Sequence, residues 1–481
     1  MNVKKKIKDD LYKYVIVKIL PAFSGFIFIY FLTKIFKTEE YSDYAFLMTS
    51  TLLFTQLVGG WVNNTVIFYY PDYLLSENVG RFKKNILNIQ YFSILIILIP
   101  YIIVITTGHF NYIITILSSS LMFFQILYNF QISVLQAERN ISKQILASII
   151  QSIIQVVGVI VSYFYFNSGL ISILIVLCIM YGIPFLYLFF NDEKGIYIPN
   201  ININKKIVKE ILKYGLPISI WIFSTQFYLN GDRILYNYLH IVTKVGSYAA
   251  FRDLSTGLSG FLTMPLLMAT QPIIMQLIKG TLDTNMLENE RIKKAAFYLG
   301  GNIKMLTTLF TMILIIFILN GNQILNLLVG EKYITDDIII YLVIVSIFLT
   351  ALTIYLQKGL ESSNNTFYLA KNSFITAIIS IILNLIFIPF YGVLAGAIIT
   401  IVSQIIYGFL IYYNKKNIFK IRIEKLFIIE HLILIIITFL CKTIFNITNN
   451  FSFFTLTLTF SFVIICLLRH RKSLLYLFYD I

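Results

Sequence analysis

The sequence predicts an all-α membrane protein of about fourteen transmembrane helices, on three observations. Charge is too sparse for a water-facing surface, long stretches carry none, and the basic residues fall on alternate sides of the predicted spans. The 481 residues are 58% hydrophobic and only 13% charged, with a mean hydropathy of +0.81. A soluble chain of this size would carry roughly a quarter charged residues, so lipid must serve as solvent for much of the exterior. Between Asn85 and Ala137, and again between Gln144 and Asn191, there is no Asp, Glu, Lys or Arg. A spanning helix needs only about 20 apolar residues, so each run holds two helices and a turn. The turns read as Thr106–Asn111 in the first run and Asn167-Ser168-Gly169 in the second. Helices are required because an open backbone in hydrocarbon leaves its polar groups unpaired.

Taken in order, the predicted spans lie near 14–36, 45–69, 86–107, 112–135, 143–166, 169–190 and 212–236, then 247–275, 295–319, 338–358, 369–388, 392–413, 424–446 and 451–468. With the N-terminus placed in the cytoplasm, 29 of the 38 basic residues fall on inner segments. Five fall at outer ends (Lys34, Lys37, Lys244, Lys332, Lys442) and four within spans. That asymmetry obeys the positive-inside rule and puts both termini in the cytoplasm. The basic start Met1–Lys6 reads as a retained cytoplasmic end, since no small-residue cleavage site follows an apolar core.

Six spans precede a charged linker at 191–211, and the six after it resemble them. Lys18-Ile-Leu-Pro21 has a counterpart in Tyr214-Gly-Leu-Pro217, and Tyr41-Ser-Asp-Tyr44-Ala45 in Val245-Gly-Ser-Tyr248-Ala249. A six-span unit repeats in parallel orientation, and such repeats pack about an axis along the membrane normal with the substrate site between them. The expected organisation is a six-helix bundle at 1–190, the linker, a second six-helix bundle at 212–413, and two extra helices with a cytoplasmic tail at 414–481.

Other classes are disfavoured. The net charge of +15 is scattered through short loops rather than gathered on one face, which excludes a nucleic-acid partner. Cys178, Cys441 and Cys466 have no paired spacing, and His109, His240, His431 and His470 stand alone, so no metal site is expected. No GxxxxGK[ST] loop is present, which argues against direct ATP use.

Lys213-Tyr-Gly215-Leu-Pro217, then Asp232-Arg233, then Val245-Gly246-Ser-Tyr248, resemble the seventh-helix region of bacterial polysaccharide (O-antigen and capsule repeat-unit) flippases. These belong to the multidrug/oligosaccharidyl-lipid/polysaccharide exporter superfamily. Glu39-Glu40-Tyr41-Ser42-Asp43-Tyr44 is similar to the family's turn after the first span, with Ser42 where the family carries Gly. Gln136-Ala137-Glu138-Arg139, Leu328–Tyr333 and the stretch Asn384–Pro389–Gly392–Gly396-Ala397 also fit, and the resemblance covers roughly 10–415. It implies two bundles around a central cavity that opens alternately to either side. It also implies a cargo, an oligosaccharide on undecaprenyl pyrophosphate carried from the inner to the outer leaflet of the bacterial cytoplasmic membrane. No cofactor is implied, and proton or sodium coupling stays open. A polysaccharide polymerase and a chain-length regulator are the implied partners beside membrane lipids.

An anionic cargo wants cations in its cavity, and charges within spans face a cavity or a partner. The candidates are Lys18 in the first span, Lys304 in the ninth near mid-depth, Asp232 and Arg233 at the outer end of the seventh, and Arg252 and Asp253 in the eighth. Asn63 and Asn64 are polar residues that line a cavity or bond between helices. Structural readings stand beside these: Lys18 snorkelling to the interface, and the Asp232-Arg233 and Arg252-Asp253 pairs neutralising one another. Lys358 and Glu361 read as interfacial, Trp61 and Trp221 as packing residues before sugar platforms, and Glu430 and His431 as remote candidates for coupling. The alternative functions are a multidrug or metabolite antiporter and the lipid II flippase of the same superfamily. A membrane glycosyltransferase would need a larger outer loop than the longest here, near 320–337.

Overall fold

The computed structural model describes residues 20–75, 79–138, 140–165, 169–191, 205–241, 243–278, 287–363, 365–421, 423–444 and 453–469. Lys18, Arg139 and most of the expected linker lie outside the described residues. Helix α1 is Leu20–Ile35, and α2 is Thr38–Tyr70 with a π-helical turn at Gln56–Gly60. Then follow α3 Val79–Thr107, α4 Tyr112–Ala137, α5 Ile141–Tyr165, α6 Leu170–Phe190 and α7 Lys205–Asn230. A short helix, Asp232–Tyr238, precedes α8 Val245–Ile278, α9 Glu288–Val329 and α10 Asp337–Leu356. The segment Thr366–Tyr412 turns at Gly392 (φ 53) and so forms two helices, α11 (366–391) and α12 (392–412). The last two are α13 Lys425–Ile444 and α14 Phe453–Arg469. Fourteen helical segments is the number expected. Nine helices among the described residues are long and apolar enough to cross a membrane, the kinked Thr366–Tyr412 counted as one.

The first expected turn is where the sequence places it. His109 takes φ 63, and the Asn111 side chain accepts from the Ile114 amide to cap α4. Of the second, only Gly169 (φ 53) is described, ahead of α6. Several helices run past their expected bounds: α2 begins at Thr38, α3 at Val79, and α9 continues to Val329, so part of the expected outer loop near 320–337 is helix. α9 begins at Glu288, so 288–294 of the expected loop is helix, and α7 begins at Lys205 inside the expected linker. Hydropathy marks where lipid begins, whereas hydrogen bonding continues into the charged turns. Glu288 and Glu290 also favour the α9 N-terminus through the helix dipole.

Helix α5 is apolar outside and largely polar inside. On α5 the serines 148, 152 and 162 and Gln144 are buried, while Ile149, Ile153, Val157 and Val161 are exposed. That pattern suits a helix solvated by lipid on one face and packed through small and polar residues on the other.

Contacts divide the chain into two compact units, 1–246 with 366–389 and 247–365 with 390–481. They group helices by packing and do not follow the repeat-based boundaries at 190 and 413. In the first unit Trp61, Val66, Tyr70, Phe82, Phe130, Val134 and Ile218 share one buried cluster joining α2, α3, α4 and α7. Gly215 is what admits Trp61: a Cβ there would lie 2.1 Å from the indole. Gly246 lets the start of α8 press on the start of α2, where a Cβ would lie 1.8 Å from the Thr38 carbonyl oxygen.

Lys83 was counted in the sequence as a loop cation, yet only 3% of its side chain is exposed, and it pairs with Glu138 at the end of α4. Its ammonium also lies 5.4 Å from the centre of the Tyr70 ring.

Two outcomes follow from this packing. Gly246→Ala forces a side chain onto backbone, and overpacking costs about 1–3 kcal/mol. It should lower both the thermal midpoint and the yield of monodisperse protein, whereas Gly257→Ala, with open space around it, should change neither. Breaking a buried pair by removing one partner costs about 3–5 kcal/mol, so Glu138→Gln should destabilise the protein in a denaturant titration. The double variant Lys83→Met/Glu138→Leu should recover most of that loss, and a double variant no better than the single would show that the pair is not the cause.

Candidate functional site

The candidate residues fall in both units. In the first, Asn63 is half-buried and Asn64 exposed on α2, one turn beyond the π-helical Gln56–Gly60. A π turn leaves the regular ladder out of step and is often found at functional sites. Here two side chains bind to the carbonyls around it: Asn64 Nδ2 donates to the Gly60 carbonyl at 2.8 Å, and Ser219 of α7 donates to the Leu57 carbonyl at 3.2 Å. Gln90 of α3 and Asn63 approach the same Gly59, so amide groups cluster where α2, α3 and α4 meet. Trp61 is 5% exposed and filled against Gly215, and Trp221 packs on the same cluster, so both are packing residues.

Asp232 and Arg233 are both buried, but they lie beyond the end of α7 rather than within it. Gly231 ends that helix, and Asp232 opens the short one, its carboxylate accepting from the Arg233 amide at 3.0 Å.

In the second unit Arg252 is two turns into α8, as expected, and buried. It donates to the hydroxyl of Tyr248, one turn earlier, and its guanidinium lies 5.5 Å from that ring centre. Asp253 beside it is half-buried.

Lys304 has a partner that sequence did not reveal. Its ammonium is 2.6 Å from Glu424, 120 residues away at the threshold of α13, and 5.8 Å from the Phe427 ring centre. The ammonium is therefore level with the first turn of α13. Thr308, one turn on, donates to the Lys304 carbonyl at 3.0 Å and lies 3.3 Å from His431 Nε2. His431 Nδ1 sits 2.8 Å from the Phe427 carbonyl, which can only accept, so that nitrogen carries the proton. At the far end of α13, Lys442 reaches Asp337 at 2.5 Å and the Tyr341 hydroxyl at 2.8 Å on α10. Helix α13 is thus tied at one end to α9 and at the other to α10. Lys358 and Glu361 pair within one turn at 2.6 Å, in keeping with a structural place. Glu430 pairs with Arg469 of α14 at 2.5 Å.

Lys83 is the buried cation that sequence reading passed over. Its signal was present in Glu138 at the end of α4, but nothing in the sequence linked two positions 55 residues apart.

Solved structures share this fold over nearly the whole chain. The lipid II flippase MurJ in an inward closed conformation matches with a TM-score of 0.67 at 15% identity, covering 97% of this chain and 98% of that one. An outward-facing multidrug resistance transporter of the MATE family matches with a TM-score of 0.58 at 13% identity, covering 90% and 96%. A MOP superfamily transporter from Pyrococcus furiosus matches with a TM-score of 0.56 at 12% identity, again covering 90% and 96%. No curated protein gives a significant match by sequence. The family described as polysaccharide biosynthesis protein matches residues 9–278, more than half of the chain. This multi-pass membrane protein belongs to the polysaccharide biosynthesis protein family.

Proposed function

We propose that the protein is a flippase that carries undecaprenyl-pyrophosphate-linked oligosaccharide repeat units across the bacterial cytoplasmic membrane by alternating access. The observation that carries this reading is the family match over residues 9–278, joined to a fold shared with the lipid II flippase. The charge pattern supports it. From α2 to α6 the described carboxylates sit near helix ends, at Glu39, Glu40, Asp43 and Glu138, and the middles of these helices carry none. A cavity for cationic drugs would want acids at mid-helix, whereas Lys304 in the second unit offers positive charge to an anionic pyrophosphate. On this reading both termini face the cytoplasm, and no covalent step is needed. The drive is an ion gradient or consumption of the product by a polymerase, with a chain-length regulator as a further partner. The exported glycan is an O-antigen, a capsule or a related surface polysaccharide.

A deletion strain should accumulate the lipid-linked repeat unit in its membrane and lose surface glycan. A deletion that leaves both unchanged would refute the reading. If the Lys304 ammonium serves cargo, Lys304→Ala at normal membrane abundance should lower surface glycan about tenfold or more, the scale of one lost charge-assisted contact. Glu424→Ala should lower it little, because an exposed ion pair is worth under about 1 kcal/mol and Glu424 is 74% exposed. Equal loss in both variants would assign Lys304 to the ion pair instead.

A further inference from the structure

Among the described residues three other than glycine take a positive φ, and two of them are histidines: His109 at 63° and His240 at 54°, with Lys244 the third. Both histidines hold the same place in their segments. His109 follows the end of α3 and its amide donates to the Thr106 carbonyl at 3.1 Å. His240 follows the short helix Asp232–Tyr238 and its amide donates to the Asn237 carbonyl, also at 3.1 Å. This left-handed position after a helix favours glycine, with asparagine next, because a Cβ crowds the backbone there. Only four histidines occur in the 481 residues. Two of them stand where the backbone asks for a smaller residue, and the fold brings those two together.

Their ring centres lie 6.4 Å apart, with planes 28° from parallel. The two turns are pinned beside the rings by other groups. The Thr107 and Tyr238 hydroxyls hydrogen-bond at 2.8 Å. Phe46 of α2 stacks on Phe110 and meets Tyr238 edge-on, with ring centres at 5.6 and 6.1 Å. Gly108 sits against that stack, where a Cβ would lie 2.9 Å from Phe46. Both histidines are exposed, so neither fills a core, and among the described residues no hydrogen bond engages either ring. The packing of these turns is complete without the imidazoles.

Imidazole is the commonest side-chain ligand of divalent transition metals. A ring centre lies about 3.2 Å from a zinc ion that its nitrogen binds, so two rings on one tetrahedral ion stand about 5.2 Å apart. The observed separation closes to that value by a shift of about 1 Å, which exposed side chains make within nanoseconds. We propose that His109 and His240 form a two-histidine site for a divalent transition-metal ion of the zinc, nickel or copper class. Among the described residues no third His, Cys, Asp or Glu stands with them, so water takes the remaining positions and the ion exchanges readily. Magnesium and calcium, which bind through oxygen, find no ligand in such a pair. A bound ion ties the turn between α3 and α4 to the segment that leads into α8. On the proposed topology both lie at the outer surface. The site stands whether or not the protein is a flippase, because binding rather than export is read.

The test uses the purified full-length protein without a polyhistidine tag, in phosphatidylcholine nanodiscs. Zinc chloride titrated against a fluorescent zinc indicator should show one ion bound per chain, and magnesium chloride should not displace it. His109→Asn and His240→Asn keep a residue that accepts the left-handed backbone. Each should weaken zinc binding about tenfold or more, since even an outer-shell partner counts on that scale, whereas His470→Asn should not. Zinc should raise the thermal midpoint of the unaltered protein and of neither site variant, as mass action requires. With one equivalent of copper(II), the electron paramagnetic resonance spectrum should show two imidazole nitrogens in the unaltered protein and one in each site variant. Absence of zinc binding, undiminished binding in both folded variants, or a copper spectrum without two imidazole nitrogens would each overturn the proposal. Should both variants misfold, the copper spectrum of the unaltered protein decides it alone.

Discussion

Lipid as solvent removes the hydrophobic force that would otherwise hold one helix against another, and every other feature of this chain answers to that. Helix association must come from close fit and from polar contacts sheltered between helices. The buried serines of α5 and the exposed isoleucines on its other face are one result. The glycines are another. Gly215 receives the Trp61 ring, and Gly246 receives the Thr38 backbone, each at a distance that no side chain would permit. Prolines 100, 184, 217 and 389 stand inside helices, which a bundle tolerates when neighbours satisfy the freed carbonyls.

The same constraint explains which parts of the fold the sequence discloses. Hydropathy and charge alternation report depth in the bilayer, and they disclose fourteen segments and the capped turn at Asn111. They do not report where a helix ends, because the backbone keeps its ladder beyond the lipid; α9 starts at Glu288 for that reason. Nor do they report partners. Lys304 and Glu424, Lys83 and Glu138, and Lys442 and Asp337 are each far apart in sequence, and each ion pair joins helices that only packing brings together. A buried lysine in a charged loop looks like any other loop lysine until its neighbour is known. Trp61, read first as a packing residue, is one: it fills the space that Gly215 leaves.

The last two helices belong to the second unit, and their attachments to it are few and specific. α14 lies against α9 through Leu458 and Phe462 packed on Ile315 and Leu319, with Asn320 donating to Thr459 at 2.8 Å where α9 departs from helical geometry. α13 is joined at its ends to α9 and α10 by ion pairs, and between them to α9 through His431–Thr308 and to α14 through Glu430–Arg469. Behind it a cavity of about 370 Å³ remains between α9, α10 and α13.

The cations also differ in what they can release. Arg252 is buried, donates to Tyr248 and lies over its ring, so its charge is fixed in place and largely shielded from water. Lys304 is partly exposed, and its partner Glu424 is mostly so. Exchange of that partner for a phosphate oxygen would therefore strip little hydration, and Glu424 would return to water at small cost. A transporter must let its cargo go as readily as it takes it. A permanently bare cation would hold a pyrophosphate too tightly, whereas an ammonium with a competing carboxylate beside it returns to a neutral pair once the cargo leaves. On the proposed reading the exposed pair suits a site that turns over, whereas Arg252 is held in place by Tyr248.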